Sequence, residues 1–61
     1  MRVQTFIGRI GVEALEQFDD HINRWMERNN IEPKFVTQSA GIEEYHESGS
    51  KESVVITQVW Y

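Results

Sequence analysis

Ser53-Val-Val-Ile-Thr-Gln-Val-Trp-Tyr61 carries apolar side chains on both parities: Val54, Ile56 and Trp60 on one, Val55, Val59 and Tyr61 on the other. A strand at a solvated edge alternates apolar with polar, whereas a strand covered on both faces is apolar throughout. This segment therefore belongs in the interior of a sheet, antiparallel to a hairpin partner and beside another strand. Two further extended segments supply those neighbours. Arg2 to Ile10 is rich in β-branched and aromatic residues, with Val3, Thr5 and Ile7 on one parity and Gln4 and Phe6 on the other, before Gly8 and Gly11 punctuate it. Lys34 to His46 is extended by propensity, through Phe35, Val36, Thr37, Ile42 and Tyr45. Ala40-Gly41 breaks its alternation and predicts a bulge or a bend.

Between the first two strands the apolar period changes to that of a helix. Leu15, Phe18, Ile22, Trp25 and Met26 recur three or four apart, and Glu13, Glu16, Asp19, Asp20, Asn23 and Glu27 occupy the other side. Acidic residues crowd the first half and Arg24 and Arg28 the last turns, an order that suits the helix dipole. Asp20 and Arg24 are spaced for an i,i+4 ion pair. Asn29-Asn30 predicts the helix end, because Asn tolerates the left-handed conformation, and Pro33 prevents continuation. Glu47 to Glu52, with Ser48-Gly49-Ser50 at its centre, predicts a hairpin loop. The fold expected is α+β, a single domain over residues 1–61 in the order β-α-β-β: one helix packed on a three-stranded antiparallel sheet of strand order 1-3-2.

Size and charge bound the function. A chain of 61 residues buries only about 60% of its unfolded surface. One helix covers one face of a three-stranded sheet, so the second face, with half of the first strand, needs another cover. A homo-oligomer that packs sheet on sheet or joins sheets edge to edge supplies it. Gln4, Phe6, Gln58, Trp60 and Tyr61 are the residues expected at such an interface, or at a small-molecule ligand held there. Gln4, Gln38 and Gln58 each adjoin a threonine, and a register that gathers them would set a patch of amides beside Trp60.

Ten acidic and six basic side chains give a net charge of −4, and the basic ones are dispersed. Clustered cations supply most non-specific affinity for a phosphate backbone, so nucleic acid is not an expected partner. The chain has no cysteine, which removes disulfides, thiolate metal sites and a Cys nucleophile. Met-Arg-Val-Gln-Thr at the start has no signal-peptide character and no apolar run reaches membrane-spanning length, so the expected location is cytoplasmic, without a membrane.

No catalytic constellation emerges. Serines 39, 48, 50 and 53 lack a nucleophile-elbow context, and glycines 8, 11, 41 and 49 form neither a dinucleotide fingerprint nor a phosphate loop. His21 and His46 each have carboxylates near them in sequence, but neither has the spacing of a metal site. Glu43, Glu44 and Glu47 read as a solvated hairpin end. Arg9, in Gly8-Arg9-Ile10-Gly11 before the helix, is the one candidate for an anion, against the plainer reading of a turn that needs glycine. The expectation is a protein without enzymatic activity, cofactor or metal.

A short strand, one amphipathic helix with a central aromatic, a long hairpin and the terminal Val-Val-Ile-Thr-Gln-Val-Trp-Tyr resemble the small sporulation-associated β-α-β-β proteins of bacilli. The likeness spans most of the chain without a diagnostic motif. Element order is similar also to that of dodecins, small flavin-storing oligomers, which implies only that a ligand can sit at subunit contacts.

Overall fold

In the computed structural model, which describes residues 1–45 and 49–61, three strands and one helix follow the order expected: β1 (Val3–Arg9), α1 (Val12–Arg28), β2 (Phe35–Tyr45) and β3 (Ser50–Trp60). The sheet is antiparallel in the order β1-β3-β2, with the doubly apolar strand in the centre.

The ladders assign every side chain to a face. Gln4 stands opposite Val59 and Phe6 opposite Thr57 in one ladder, Val36 opposite Val59 and Gln38 opposite Thr57 in the other. These residues share the face that α1 covers. There Phe6, Phe18, Ile22, Val55 and Val59 form the core, and Leu15, Trp25 and Met26 pack against it. The residues of β3 that meet the helix are thus Val55, Val59 and Tyr61, and the stripe read from the sequence is the face that α1 buries. Val59, at the centre, is fully enclosed. Edge-to-face ring contacts extend the core along the helix: Phe6 to His21 at 5.8 Å, Phe6 to Trp25 at 5.2 Å and Trp25 to Tyr61 at 5.5 Å.

Gly8 has a packing reason. A Cβ built there would stand 2.4 Å from Cδ1 of Phe18, so the helix comes close to β1 only because that position has no side chain. The glycine lies inside β1 and serves a close approach, not the turn the sequence suggests.

The helix ends as its sequence predicts. Asn30 takes the left-handed conformation at φ 51°, the Ile31 N–H donates to the Met26 carbonyl at 2.9 Å, and the Asn30 N–H donates to the Glu27 carbonyl at 3.3 Å. That pair of bonds is the Schellman arrangement, here built on Asn in place of Gly. The Asn29 side chain adds a bond to the Trp25 carbonyl at 2.8 Å. Asn30→Ala is expected to lower stability by up to about 1 kcal/mol, because Ala lacks the short polar side chain that eases Asn into the left-handed region, whereas Asn30→Gly, with no Cβ, should preserve or raise it. Thermal melts of the two variants check this. The i,i+4 pair is present, with Arg24 Nε 3.1 Å from Asp20 Oδ2.

The hairpin departs from expectation in two places. β2 pairs with β3 one to one from Phe35 to Tyr45, with no bulge at Ala40-Gly41. A Cβ at Gly41 would meet Ile56 at 3.5 Å and Val54 at 3.7 Å, ordinary contact distances, so packing does not demand the glycine. β3 also begins inside the loop expected from Glu47 to Glu52. Gly49 takes φ 66°, β3 resumes at Ser50, and Lys51 and Glu52 already pair with Glu44 and Glu43. The remainder of the expected loop, with His46, lies outside the described residues.

Strands of eleven residues run roughly 36 Å at the strand rise, whereas the 17 residues of α1 span about 26 Å. The helix packs along β1 and over β3. It leaves β2 largely bare, with Val36 53% and Ile42 72% exposed although both point to the helix side.

Candidate functional site: the uncovered sheet surface

The face opposite α1 is built from the odd residues of β1 and β2 and the even residues of β3. Across it run four rows: Val3–Trp60–Phe35, Thr5–Gln58–Thr37, Ile7–Ile56–Ser39 and Arg9–Val54–Gly41. Two of these rows are mainly apolar, and between them lies a polar one. Phe35 stacks on Trp60 with ring centroids 5.4 Å apart. The Gln58 amide nitrogen donates to the Thr5 hydroxyl and its oxygen accepts from Thr37, each at 3.4 Å, and the Trp60 indole N–H reaches Thr37 at 3.5 Å. The polar row thus engages its own members and sits flush in an apolar surface. Val3 is 43% exposed, Phe35 47% and Ile7 61%. At one end Arg9 forms an ion pair with Glu52 at 3.3 Å.

Of the residues expected at an interface or ligand, only Gln58 and Trp60 lie on this face. Phe6 is buried in the core beneath α1. Tyr61 points to the helix side, against Trp25 and under the Arg2 guanidinium, which stands 5.8 Å from the ring. Gln4 lies on the helix side, opposite Val59. The three glutamines are not gathered: Gln38 donates to the buried Thr57 hydroxyl at 3.1 Å on the helix side, away from Gln58. The reason is parity. Every ladder pair joins an even-numbered to an odd-numbered residue, so an even residue of β3 faces the opposite way from an even residue of β1 or β2.

Phe35, Ile7, Val3, Thr5 and Thr37 complete the open face and were not singled out from sequence. The signal that could have found them is Gly8. A glycine inside a strand marks the side on which another element approaches, which assigns Phe6 to the helix and Val3, Thr5 and Ile7 to the opposite face.

Arg9, the candidate for an anion, shares a face with Val3 and Ile7 and pairs with Glu52. Its guanidinium is therefore engaged with a carboxylate on the face turned from α1. His21 is exposed and touches Phe6 by its ring edge. Among the described residues no group of three or more His, Asp or Glu side chains converges as a metal site would require, and no helix is long and apolar enough to cross a membrane.

No family model, curated protein or solved structure matches the chain.

Proposed function

We propose that this chain is a self-associating interaction module without catalytic activity, and that copies of it assemble by burying sheet surface that the single helix leaves bare. The observation that carries this reading is the open face itself. Val3, Phe35 and Ile7 are 43%, 47% and 61% exposed and share one face of the sheet with Ile56 and Trp60, in two apolar rows on either side of a polar one, and an uncovered apolar surface of this kind marks an interaction site. Size argues the same way, since a domain this small gains much of its stability from any further apolar burial. The polar row is compatible with burial because Gln58, Thr5, Thr37 and Trp60 already bond to one another.

Ile7→Lys tests the reading. On a monomer this exposed substitution costs little, within about 0.5 kcal/mol; at a buried contact it places an unpaired charge in the interface. Sedimentation velocity should give a larger species for the unaltered chain than for the variant, while circular dichroism shows both folded. Equal sedimentation of the two would contradict the role given to this face.

A second reading has one observation in its favour. The Gln58 amide lies beside the Phe35–Trp60 stack, a polar group within an apolar surface, which suits a planar small molecule held on the sheet or between subunits. Native mass spectrometry of protein purified from its host separates the two, because it reports subunit number and retained ligand together.

A further inference from the structure

The outer rim of β2 is a second surface, and its sequence is complementary to itself. Arg2 and Tyr61 exchange two backbone hydrogen bonds at 2.8 Å, so Tyr61, Val59, Thr57 and Val55 turn their N–H and C=O groups to β1. By the alternation of an antiparallel ladder, Trp60, Gln58, Ile56 and Val54 turn theirs to β2, where they meet Phe35, Thr37, Ser39 and Gly41. The backbone groups of Val36, Gln38, Ala40 and Ile42 are consequently left at the free rim. Along most of its length the rim lacks the usual defences: the strand Phe35–Tyr45 contains no proline, no lysine and no bulge, and its two charges, Glu43 and Glu44, lie at one end.

We propose that two copies of this chain join β2 to β2 antiparallel about a two-fold axis through Ser39, merging two three-stranded sheets into one of six. This rests on the self-association proposed above and names the contact that carries part of it. The axis is perpendicular to the sheet, both helices lie on the same side, and residues sharing a face stand opposite one another. In this register Val36 stands opposite the partner's Ile42, a contact that occurs twice, and Glu43 falls at each end of the seam, opposite the partner's Phe35. Val36 and Ile42 are exposed aliphatics of β2 on the helix side that α1 fails to cover. Ser39, Ala40 and Gly41, all small, occupy the centre of the seam.

Neighbouring registers lose this complementarity. Centring the pair on Gln38 sets Val36 opposite Ala40 and carries Ile42 past the end of the partner strand. Centring it on Ala40 sets Val36 opposite Glu44 and Ile42 opposite Gln38. Cross-strand aliphatic pairs favour pairing, and of these three registers only the one centred on Ser39 sets Val36 against Ile42, so the sequence of β2 selects it. β1 offers a poorer rim, with seven residues and the helix packed along it.

The absence of cysteine makes cross-linking a clean test. Ser39 and its symmetry mate form a pair without mutual hydrogen bonds, with Cα atoms about 4.5 Å apart, within the range a disulfide spans. Ser39→Cys, incubated with oxidised glutathione, should become a covalent dimer nearly completely. Gln38→Cys and Ala40→Cys should remain largely uncross-linked, since their own mates lie two residues out of alignment. Val36→Cys and Ile42→Cys should cross-link when mixed and not separately. Cross-linking centred on Gln38 or Ala40, or equal cross-linking at all three positions, would overturn the register. A chain that sediments as an oligomer while Ser39→Cys stays monomeric under oxidation would overturn the β2 seam and leave self-association standing. A chain monomeric by sedimentation and inert at Ser39→Cys would overturn both.

Discussion

Phe18→Ala is expected to cost about 3–5 kcal/mol of folding stability, the range for truncating an enclosed aromatic. Phe18 is 8% exposed, it stands over Gly8, and Phe6, Ile22, Val55 and Val59 complete its surroundings. The helix approaches β1 at this point by way of the ring, over a glycine that has no side chain to occupy the space a truncation would leave. For a domain whose total stability is on the order of 5 kcal/mol, the loss would leave a substantial unfolded population at room temperature. Urea melts at one fixed protein concentration give the value. A loss below about 1 kcal/mol would mean that this ring does not anchor the helix.

Gly8→Ala is the second large effect, and it has the opposite physical sign: too much volume in place of too little. The added methyl would meet Phe18 at 2.4 Å, with two more ring carbons at 2.8 Å. The ring must rotate out of its place or the helix must lift, at about 1–3 kcal/mol. Because the cost arises from one contact, it should depend on the partner. In a Phe18→Leu background the same substitution should cost distinctly less, a coupling that a double-mutant cycle measures. Additive costs would show that Gly8 matters for its backbone, as a turn residue does, and not for the room it leaves.

The two core residues also show where sequence reading succeeds and stops. The helix stripe was legible because Leu15, Phe18, Ile22, Trp25 and Met26 repeat at a period only a helix has. The central place of β3 was legible because Val54 and Val55 cannot both be buried at an edge. The facing of β1 was not, since Phe6 argues for one parity and Val3 with Ile7 for the other, and burial strength alone does not choose. The choice is made by packing between elements distant in sequence, Gly8 against Phe18. Ala40-Gly41 misled for a different reason: a glycine in a strand need not mark a bulge, and here the ladder runs through it unbroken while a Cβ would meet Ile56 and Val54 only at ordinary contact distances. The site suffered from the same ambiguity. Trp60 and Gln58 fall on the open face and Phe6 and Tyr61 in the covered one, because a face is a property of pairing register, which no single strand encodes.

An account in which the bare sheet surface exists to be buried makes stability a function of concentration. Subunits that associate only when folded stabilise one another by mass action. The most direct measurement is the melting temperature of the unaltered chain followed from about 1 to about 100 μM, with sedimentation at the same concentrations. The prediction is a melting temperature that rises across the range together with the sedimentation coefficient. A monomer at the highest concentration, with a melting temperature that does not move, would contradict self-association and leave the open face to a different partner or ligand.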